Sequence, residues 1–194
     1  MARYLLNTTW MLLLSVSAFT QDVNADRLME MDGIYYLADD SIPFTGHAFT
    51  GSPSGKLQID AQFLDGKQTG KTISYYESGK IQSVEDYKDG KYHGKVVHYY
   101  ATGIISESLT YKEDYMNGPA VYYYENGKVQ SEGEYHDCKE EGAWKFYTPD
   151  GDLERFGQMH AAKETGWWIY LDPSGKKVKE VWFENGLAKN EVEF

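Results

Sequence analysis

The chain has 194 residues, with 30 acidic residues against 19 lysines and arginines and a formal net charge of −11. This acidity argues against nucleic acid or an anionic membrane surface as the main partner, because both require a basic patch. Two interpretations of the charge stay open: a surface that binds a basic protein, or a well-solvated surface with no such role. Cys138 is the single cysteine, so an internal disulfide is excluded.

The first 25 residues differ in character from the rest of the chain. Arg3 is followed by an apolar stretch from Tyr4 to Phe19, which is shorter than the roughly 20 apolar residues that span a bilayer. This pattern is typical of a secretory signal peptide, and we predict one over residues 1–25. Cleavage is expected after Ala25 or, alternatively, after Ala18. The protein is therefore expected to be periplasmic or secreted.

Residues 26–45 are predicted to form an N-terminal cap strand and a loop. The segment from Asp32 to Leu37 is rich in strand-forming residues but falls out of phase with the sequence that follows. The end units of repeat proteins are atypical in this way, because one of their sides has no neighbour.

Residues 46–189 repeat with a period of 24 residues, giving six copies. Regular spacing of this kind indicates a repeat architecture in which each unit packs against its neighbours. Two glycine columns set the phase: Gly46, Gly70, Gly94, Gly118, Gly142 and Gly166, and then Gly55, Gly79, Gly103, Gly127, Gly151 and Gly175. A third column reads Gly66, Gly90, Asp114, Cys138, Ala162 and Gly186, which suggests that it does not need glycine.

Each repeat is predicted to be a β-hairpin. A run of β-branched and aromatic residues, such as KTISYY after Gly70, separates the first glycine from the second and suits a half-buried strand. The second glycine column is predicted to form the turns, since glycine supplies the positive φ that tight turns require. We therefore predict an all-β fold: an elongated single-domain meander of six 24-residue hairpin units plus caps, ending in an edge strand over residues 190–194.

The six hairpin units also resemble those of a known family of repeat proteins. Pro43-Phe44-Thr45-Gly46 opens the series, and the pattern of Gly70, Tyr75-Tyr76 and Gly79-Lys80 recurs with variation in later units. From roughly Asp32 to Lys189, the chain resembles the bacterial MORN-variant repeat proteins, a group often described as the YwqK-like antitoxin family. The resemblance implies a binding or assembly role, and the antitoxin label implies a toxin partner.

Alternate residues of a strand point to opposite faces of a sheet, and we call these two sets of positions the two parities. Aromatic residues occur at both parities, so they lie on both faces of the predicted sheet. The parity that contains Ile73, Tyr75, Val97 and Tyr99 is apolar nearly throughout and is predicted to be the packed face. The opposite parity is predicted to bind a protein partner through Tyr76, Tyr100, Tyr122, Tyr124, Trp144, Trp168 and Tyr170. The alternative is that these rings only cover the sheet through cross-strand pairs.

Enzyme chemistry finds little support in the sequence, and no catalytic residues, metal site or cofactor are predicted. His136 and His160 occupy one column, but equivalent positions in adjacent hairpins lie about 10 Å apart, too far to share a metal ion. Cys138 follows His136 and Asp137, yet neighbours in sequence point to different sides of a strand or splay in a turn. A nucleophile paired with its base is therefore not expected there.

The sequence favours a non-enzymatic exported scaffold that binds a protein through its aromatic residues, within an acidic rim. The alternative is a cell-wall or carbohydrate-binding module. The segment Gly166-Trp167-Trp168-Ile169-Tyr170 resembles the aromatic hairpins of choline-binding repeats, whose rings hold a cation against their faces. An enzyme is the third class.

Overall fold

A computed structural model describes residues 21–38 and 40–194. The predicted signal peptide falls mainly on residues 1–20, outside the described residues. In the part that is described, no helix is long and apolar enough to cross a membrane.

The described chain is almost entirely β-structure. Its N-terminal part contains β1 (Gln21–Asn24), a 3-10 turn (Ala25–Arg27), β2 (Leu28–Met31) and β3 (Ile34–Leu37). The repeats contribute β4 (Gly46–Gly51), β5 (Leu57–Leu64), β6 (Lys67–Tyr75), β7 (Ile81–Lys88), β8 (Lys91–Tyr99), β9 (Ile105–Lys112), β10 (Tyr115–Met116), β11 (Gly118–Tyr123), β12 (Val129–His136), β13 (Lys139–Tyr147), β14 (Leu153–His160), β15 (Lys163–Leu171), β16 (Lys177–Glu184) and β17 (Leu187–Glu193). The all-β prediction is confirmed.

One sheet of 15 strands contains all of these strands except β2 and β3. From β4 to β17 the strands follow sequence order as antiparallel neighbours, with the short β10 pairing only with β9. This arrangement is the predicted meander of consecutive hairpins. The exception to the antiparallel pattern is β1, which pairs in parallel with β4 and so forms the first edge of the sheet.

The N-terminal cap is a hairpin of its own rather than a single strand, because β2 pairs with β3 in a separate two-stranded sheet. Backbone hydrogen bonds of 2.8 Å join Tyr35 to Phe44 and to Gly66, which ties the cap to the first repeat. Beneath it, the buried side chains of Val23, Phe44, Ala48, Ala61 and Phe63 form a small core. The cap therefore packs onto one face of the sheet near its first strands.

The second glycine column lies in short hairpin loops. At Gly79, where φ is +85°, the N–H donates to the carbonyl of Tyr76 over 2.8 Å, and the N–H of Tyr76 donates to the carbonyl of Lys80 over 2.9 Å. A glycine in the left-handed region is typical of three-residue hairpin loops with a bulge. All six glycines of the column have φ between +80° and +94°.

The third column also lies in turns, and here the structure corrects the sequence-based expectation. Both central residues of each two-residue loop have positive φ, including Asp114 (+70°), Cys138 (+62°) and Ala162 (+64°). The backbone keeps a positive φ even where the residue is not glycine. Two-residue hairpin loops of this kind require positive φ at both central residues. Each column residue also donates its N–H to a carbonyl 22 positions earlier, as Ala162 does to Glu140 over 3.0 Å.

The last strand, β17, begins at Leu187 rather than at residue 190, and its residues are exposed. It carries Lys189, Glu191 and Glu193 on an edge that would otherwise invite further strand pairing. Charged residues on an edge strand oppose such pairing between molecules.

Candidate functional surfaces of the sheet

The buried residues of the repeat strands share one face of the sheet, which we call the inner face. Cross-strand partners form a central row along it, from one strand to the next. The row comprises Ala48, Ala61, Thr72, Glu85, Val96, Leu109, Ala120, Gly133, Trp144, Gly157, Trp168 and Val181. Ten of these twelve residues are buried, among them Trp144 at 1% exposure and Trp168 at 0%.

The predicted choice of packed face is therefore wrong. The face assigned to partner binding contains the most deeply buried rings of the described chain, and the face that contains Ile73 and Val97 is the more exposed one. Trp144 and Trp168 pack with Leu109 and Ala120 in one core cluster, to which Phe146 and Phe183 add their rings. Direct contact between a partner and Trp144 or Trp168 is excluded while this core is intact.

Glycine makes room for the two tryptophans. Gly133 lies across from Trp144 and Gly157 across from Trp168, and a Cβ atom built on either glycine would overlap the indole ring. The signal is present in the sequence, in the column Ala61, Glu85, Leu109, Gly133, Gly157 and Val181. Glycine occurs in this column only where tryptophan stands eleven residues later. Comparison of residues within one strand does not reveal this large-to-small pairing, because the two partners lie on neighbouring strands.

Tyr76, Tyr100 and Tyr124 join consecutive repeats. Their hydroxyls donate to the carbonyls of Tyr99, Tyr123 and Tyr147, respectively, each 23 residues further along the chain. The three distances lie between 2.5 and 2.7 Å, and all three side chains are half-buried. These contacts indicate a structural role for the three tyrosines.

Tyr122 and Tyr170 lie on the inner face beside the buried tryptophans. The Tyr122 hydroxyl is 3.0 Å from that of Tyr135, and burial is the main cause that raises the pKa of Tyr122 well above its usual range. The Tyr170 ring faces the Lys179 ammonium, 4.9 Å from the ring centroid. Both rings are half-buried, so they contribute to packing even where part of each is open to solvent.

A charged group completes the packing of the inner face near its C-terminal end. The Arg155 guanidinium lies 4.2 Å from the ring centroid of Phe146 and 5.1 Å from that of Trp168. It also forms an ion pair with Glu164 at 2.8 Å. Guanidinium groups stack well on aromatic faces, so Arg155 extends the aromatic core instead of interrupting it.

The opposite, outer face has a row of its own. It comprises Asp60, Ile73, Val84, Val97, Ser108, Val121, Glu132, Lys145, Phe156, Ile169 and Glu180, again as cross-strand partners. These side chains are half-buried or exposed, Phe156 at 37%. Beside the row, Trp167 is 42% exposed and its ring lies 5.4 Å from that of Trp182. The outer face is therefore the less buried face of the sheet, and its row mixes apolar with charged residues.

The histidines and the cysteine take part in separate local contacts. His160 Nδ1 lies 2.9 Å from Glu141 Oε1, and this hydrogen bond is the main cause that lowers the pKa of Glu141. His136 Nε2 lies 3.7 Å from Asp137, and the Cys138 sulfur accepts from the Met116 N–H at 3.2 Å. Over residues 21–38 and 40–194, no three His, Cys, Asp or Glu side chains are placed to hold a metal ion.

Comparison with known proteins gives one family result. A search among curated proteins found no match to the chain. The sequence profile of the MORN repeat variant matches residues 68–89, 92–113 and 116–137. These segments cover the strands from β6 to the end of β12, and the same succession of hairpins continues on both sides of them. The central part of the sheet therefore contains three consecutive segments that match the MORN repeat variant.

Proposed function

We propose that the protein is a non-enzymatic scaffold that binds a protein partner on the outer face of its sheet. The observation that supports this most directly is the difference between the two faces. The inner face is packed with buried residues, whereas the outer row contains none, and Phe156 in that row and Trp167 beside it are 37% and 42% exposed. Exposed apolar surface of this kind often marks an interaction site.

The composition of the outer face suits a protein–protein interface. Aromatic residues are enriched at the centres of interfaces, and a polar rim commonly surrounds them. Phe156 and Trp167 would supply the central anchors. Charged side chains also lie within the row, including the Lys145–Glu132 ion pair at 3.1 Å. Because the whole chain has a net charge of −11, a basic partner would be favoured electrostatically.

The resemblance to the YwqK-like antitoxin family supports a finer version of the proposal, in which the partner is a toxin. Export is part of the same proposal and rests on the sequence of residues 1–25. β1 favours one of the two cleavage sites. Cleavage after Ala25 would remove β1, whose Val23 is buried against the first repeat, while cleavage after Ala18 would keep it.

The structure weakens the carbohydrate-binding alternative. That alternative needs exposed tryptophan rings on which a sugar or a choline group can stack. Trp144 and Trp168 are buried, and Trp167 meets Trp182 edge-on at an interplanar angle of 68°. A flat, repeated platform is therefore missing from this part of the chain.

The proposal is tested by placing a charge in the middle of the outer row. Val121→Lys suits this purpose, because Lys145 already occupies the same position one repeat later and Glu132 lies directly across from Val121. The fold should therefore tolerate the change. A pull-down from envelope extract with the original chain as bait would identify the partner, and its affinity for each variant would then be measured.

We expect Val121→Lys and Phe156→Ala each to weaken partner binding by about 1 kcal/mol or more, as for truncated hot-spot residues. Tyr115→Ala is the matched control, since Tyr115 is 58% exposed but lies in the short β10, away from the row. Equal binding by all three variants would contradict the proposal. A partner that binds less tightly only to the Tyr115 variant would place the interface at the edge of the repeats instead.

A further inference from the structure

The inner face contains a cavity near its N-terminal end for which the proposed scaffold function has no use. The cavity has a volume of about 360 Å3 and lies between strands β4–β7 and the N-terminal cap. Ala25, Leu28 and Tyr35 line it from the side of the cap. The cap therefore leaves a partly enclosed space above the sheet rather than closing onto it.

Small side chains in the first repeats create this space. Thr72 and Ser74 line the cavity. One of the later repeats has Trp144 and Phe146 at the same two positions, and those rings belong to the aromatic core cluster of the inner face. Beneath the cap the chain instead places a threonine and a serine at these two positions.

Glu85, which also lines the cavity, is the single charged residue in the central row of the inner face. Its Oε1 accepts a hydrogen bond from the Ser83 hydroxyl at 2.9 Å. Its Oε2 accepts from the hydroxyls of Tyr87 and Tyr92, at 3.2 and 3.3 Å. All three donors are neutral, and no lysine, arginine or histidine of the described residues forms an ion pair with this carboxylate.

A carboxylate among packed side chains carries a desolvation cost that a neighbouring cation would offset. At every other position of the central row the chain places an apolar residue, a glycine or a threonine. Functional sites often contain residues that break the pattern of their surroundings, as the charged Glu85 does in this row beside the cavity. The neutral hydroxyls donate hydrogen bonds to the oxygens of Glu85, but they do not balance its negative charge.

We propose that this cavity binds a small organic amine, whose ammonium group contacts Glu85 and whose apolar body lies against Ala48, Ala61 and Phe63. A carboxylate forms its strongest hydrogen bonds with charged donors. The rings of Tyr87 and Tyr92, 4.7 Å apart, lie beside the carboxylate and favour a cation. A mostly apolar cavity with a few polar groups at one side is typical of small-molecule sites.

The test compares three probes of equal length on the full chain: hexylammonium, 1-hexanol and hexanoate, titrated by calorimetry or by NMR. We expect hexylammonium to bind about ten-fold or more tightly than either of the others, the effect of one charge-assisted hydrogen bond. Glu85→Gln should remove this preference. Glu140→Gln is the control, because Glu140 is a half-buried carboxylate that does not line this cavity.

Equal binding of the three probes, no binding of hexylammonium, or a preference that survives Glu85→Gln would each overturn the proposal. The comparison of probes needs only the unsubstituted chain, so it decides the question even if a variant does not fold. A second variant, Ala61→Leu, introduces the residue found at Leu109 two repeats later and should obstruct the cavity for all three probes. Undiminished binding of hexylammonium to that variant would place the amine elsewhere.

Discussion

At the scale of single residues, the chain pairs large side chains with glycines across neighbouring strands. Gly157 does not have positive φ, so its role is to leave space for the Trp168 ring and not to permit an unusual backbone. In an ordinary strand, replacing glycine by alanine would be stabilising. Here the added methyl group meets a closely packed ring that cannot easily move.

We expect Gly157→Ala to lower the free energy of unfolding by about 1–3 kcal/mol, the usual cost of overpacking a core. Urea titration followed by circular dichroism measures it. Gly51→Ala is the control, because a Cβ atom there meets only the Lys56 carbonyl oxygen at 3.5 Å. In a Trp168→Val background the cost of Gly157→Ala should largely disappear, and a cost that persists there would mean that the ring is not its cause.

Strain at a turn gives a prediction of the opposite sign. Ala161 and Ala162 form a two-residue loop with φ of +50° and +64°, a region that alanine disfavours. Replacing them with Asn-Gly, the pair preferred in such loops, should raise the free energy of unfolding by about 1 kcal/mol or more. Thermal melting of both forms measures the change.

The chain also contains the reciprocal control. Asn185 and Gly186 form the equivalent loop one repeat later, with φ of +53° and +78°. Replacing this pair with Ala-Ala should lower stability by a similar amount. If neither loop responds, the backbone at these turns is not held in the left-handed region.

At the scale of elements, the tyrosine hydroxyls between repeats explain why this column retains tyrosine in the middle of the sheet. Tyr100→Phe removes the donor to the Tyr123 carbonyl and leaves the ring in place. The expected cost is about 0.5–1.5 kcal/mol, the net contribution of one hydrogen bond. Tyr115→Phe should change little, since that side chain is exposed and no hydrogen bond to another described residue involves its hydroxyl. Equal melting temperatures for the two variants would argue against the contact.

The strands and turns were largely predictable, because glycine spacing and strand-forming runs are local properties of the sequence. Which face is packed was not predictable by the same means. Both parities carry aromatic residues, so burial depends on what lies across the strand pair, as with Gly133 and Trp144. Likewise, the residue type of Cys138 gave no sign of its positive φ, which the two-residue hairpin loop requires.

At the scale of the whole molecule, the N-terminal end of the sheet depends on β1. This strand pairs in parallel with β4, and its Val23 is part of the core beneath the cap. N-terminal sequencing of exported native protein should therefore give Phe19 as the first residue, from cleavage after Ala18. A first residue of Asp26 would mean that β1 is absent from the mature protein, and Met1 or Ala2 would mean that no signal peptide is removed.

One face of the sheet holds the fold together, and we propose that the other binds a partner. Trp167 and Trp168 are neighbours in sequence and lie on opposite faces, with 42% and 0% exposure. They differ in environment but not in residue type, so the same substitution can be compared at both.

The most direct test measures melting temperature and partner affinity for Trp167→Ala and Trp168→Ala together. Trp168→Ala should cost about 3–5 kcal/mol of stability, as expected for a large side chain removed from a core. Trp167→Ala should keep the melting temperature near that of the original chain and weaken partner binding by about 1 kcal/mol or more. The opposite pattern, with stability lost at Trp167 and binding lost at a stable Trp168 variant, would contradict the assignment of the two faces.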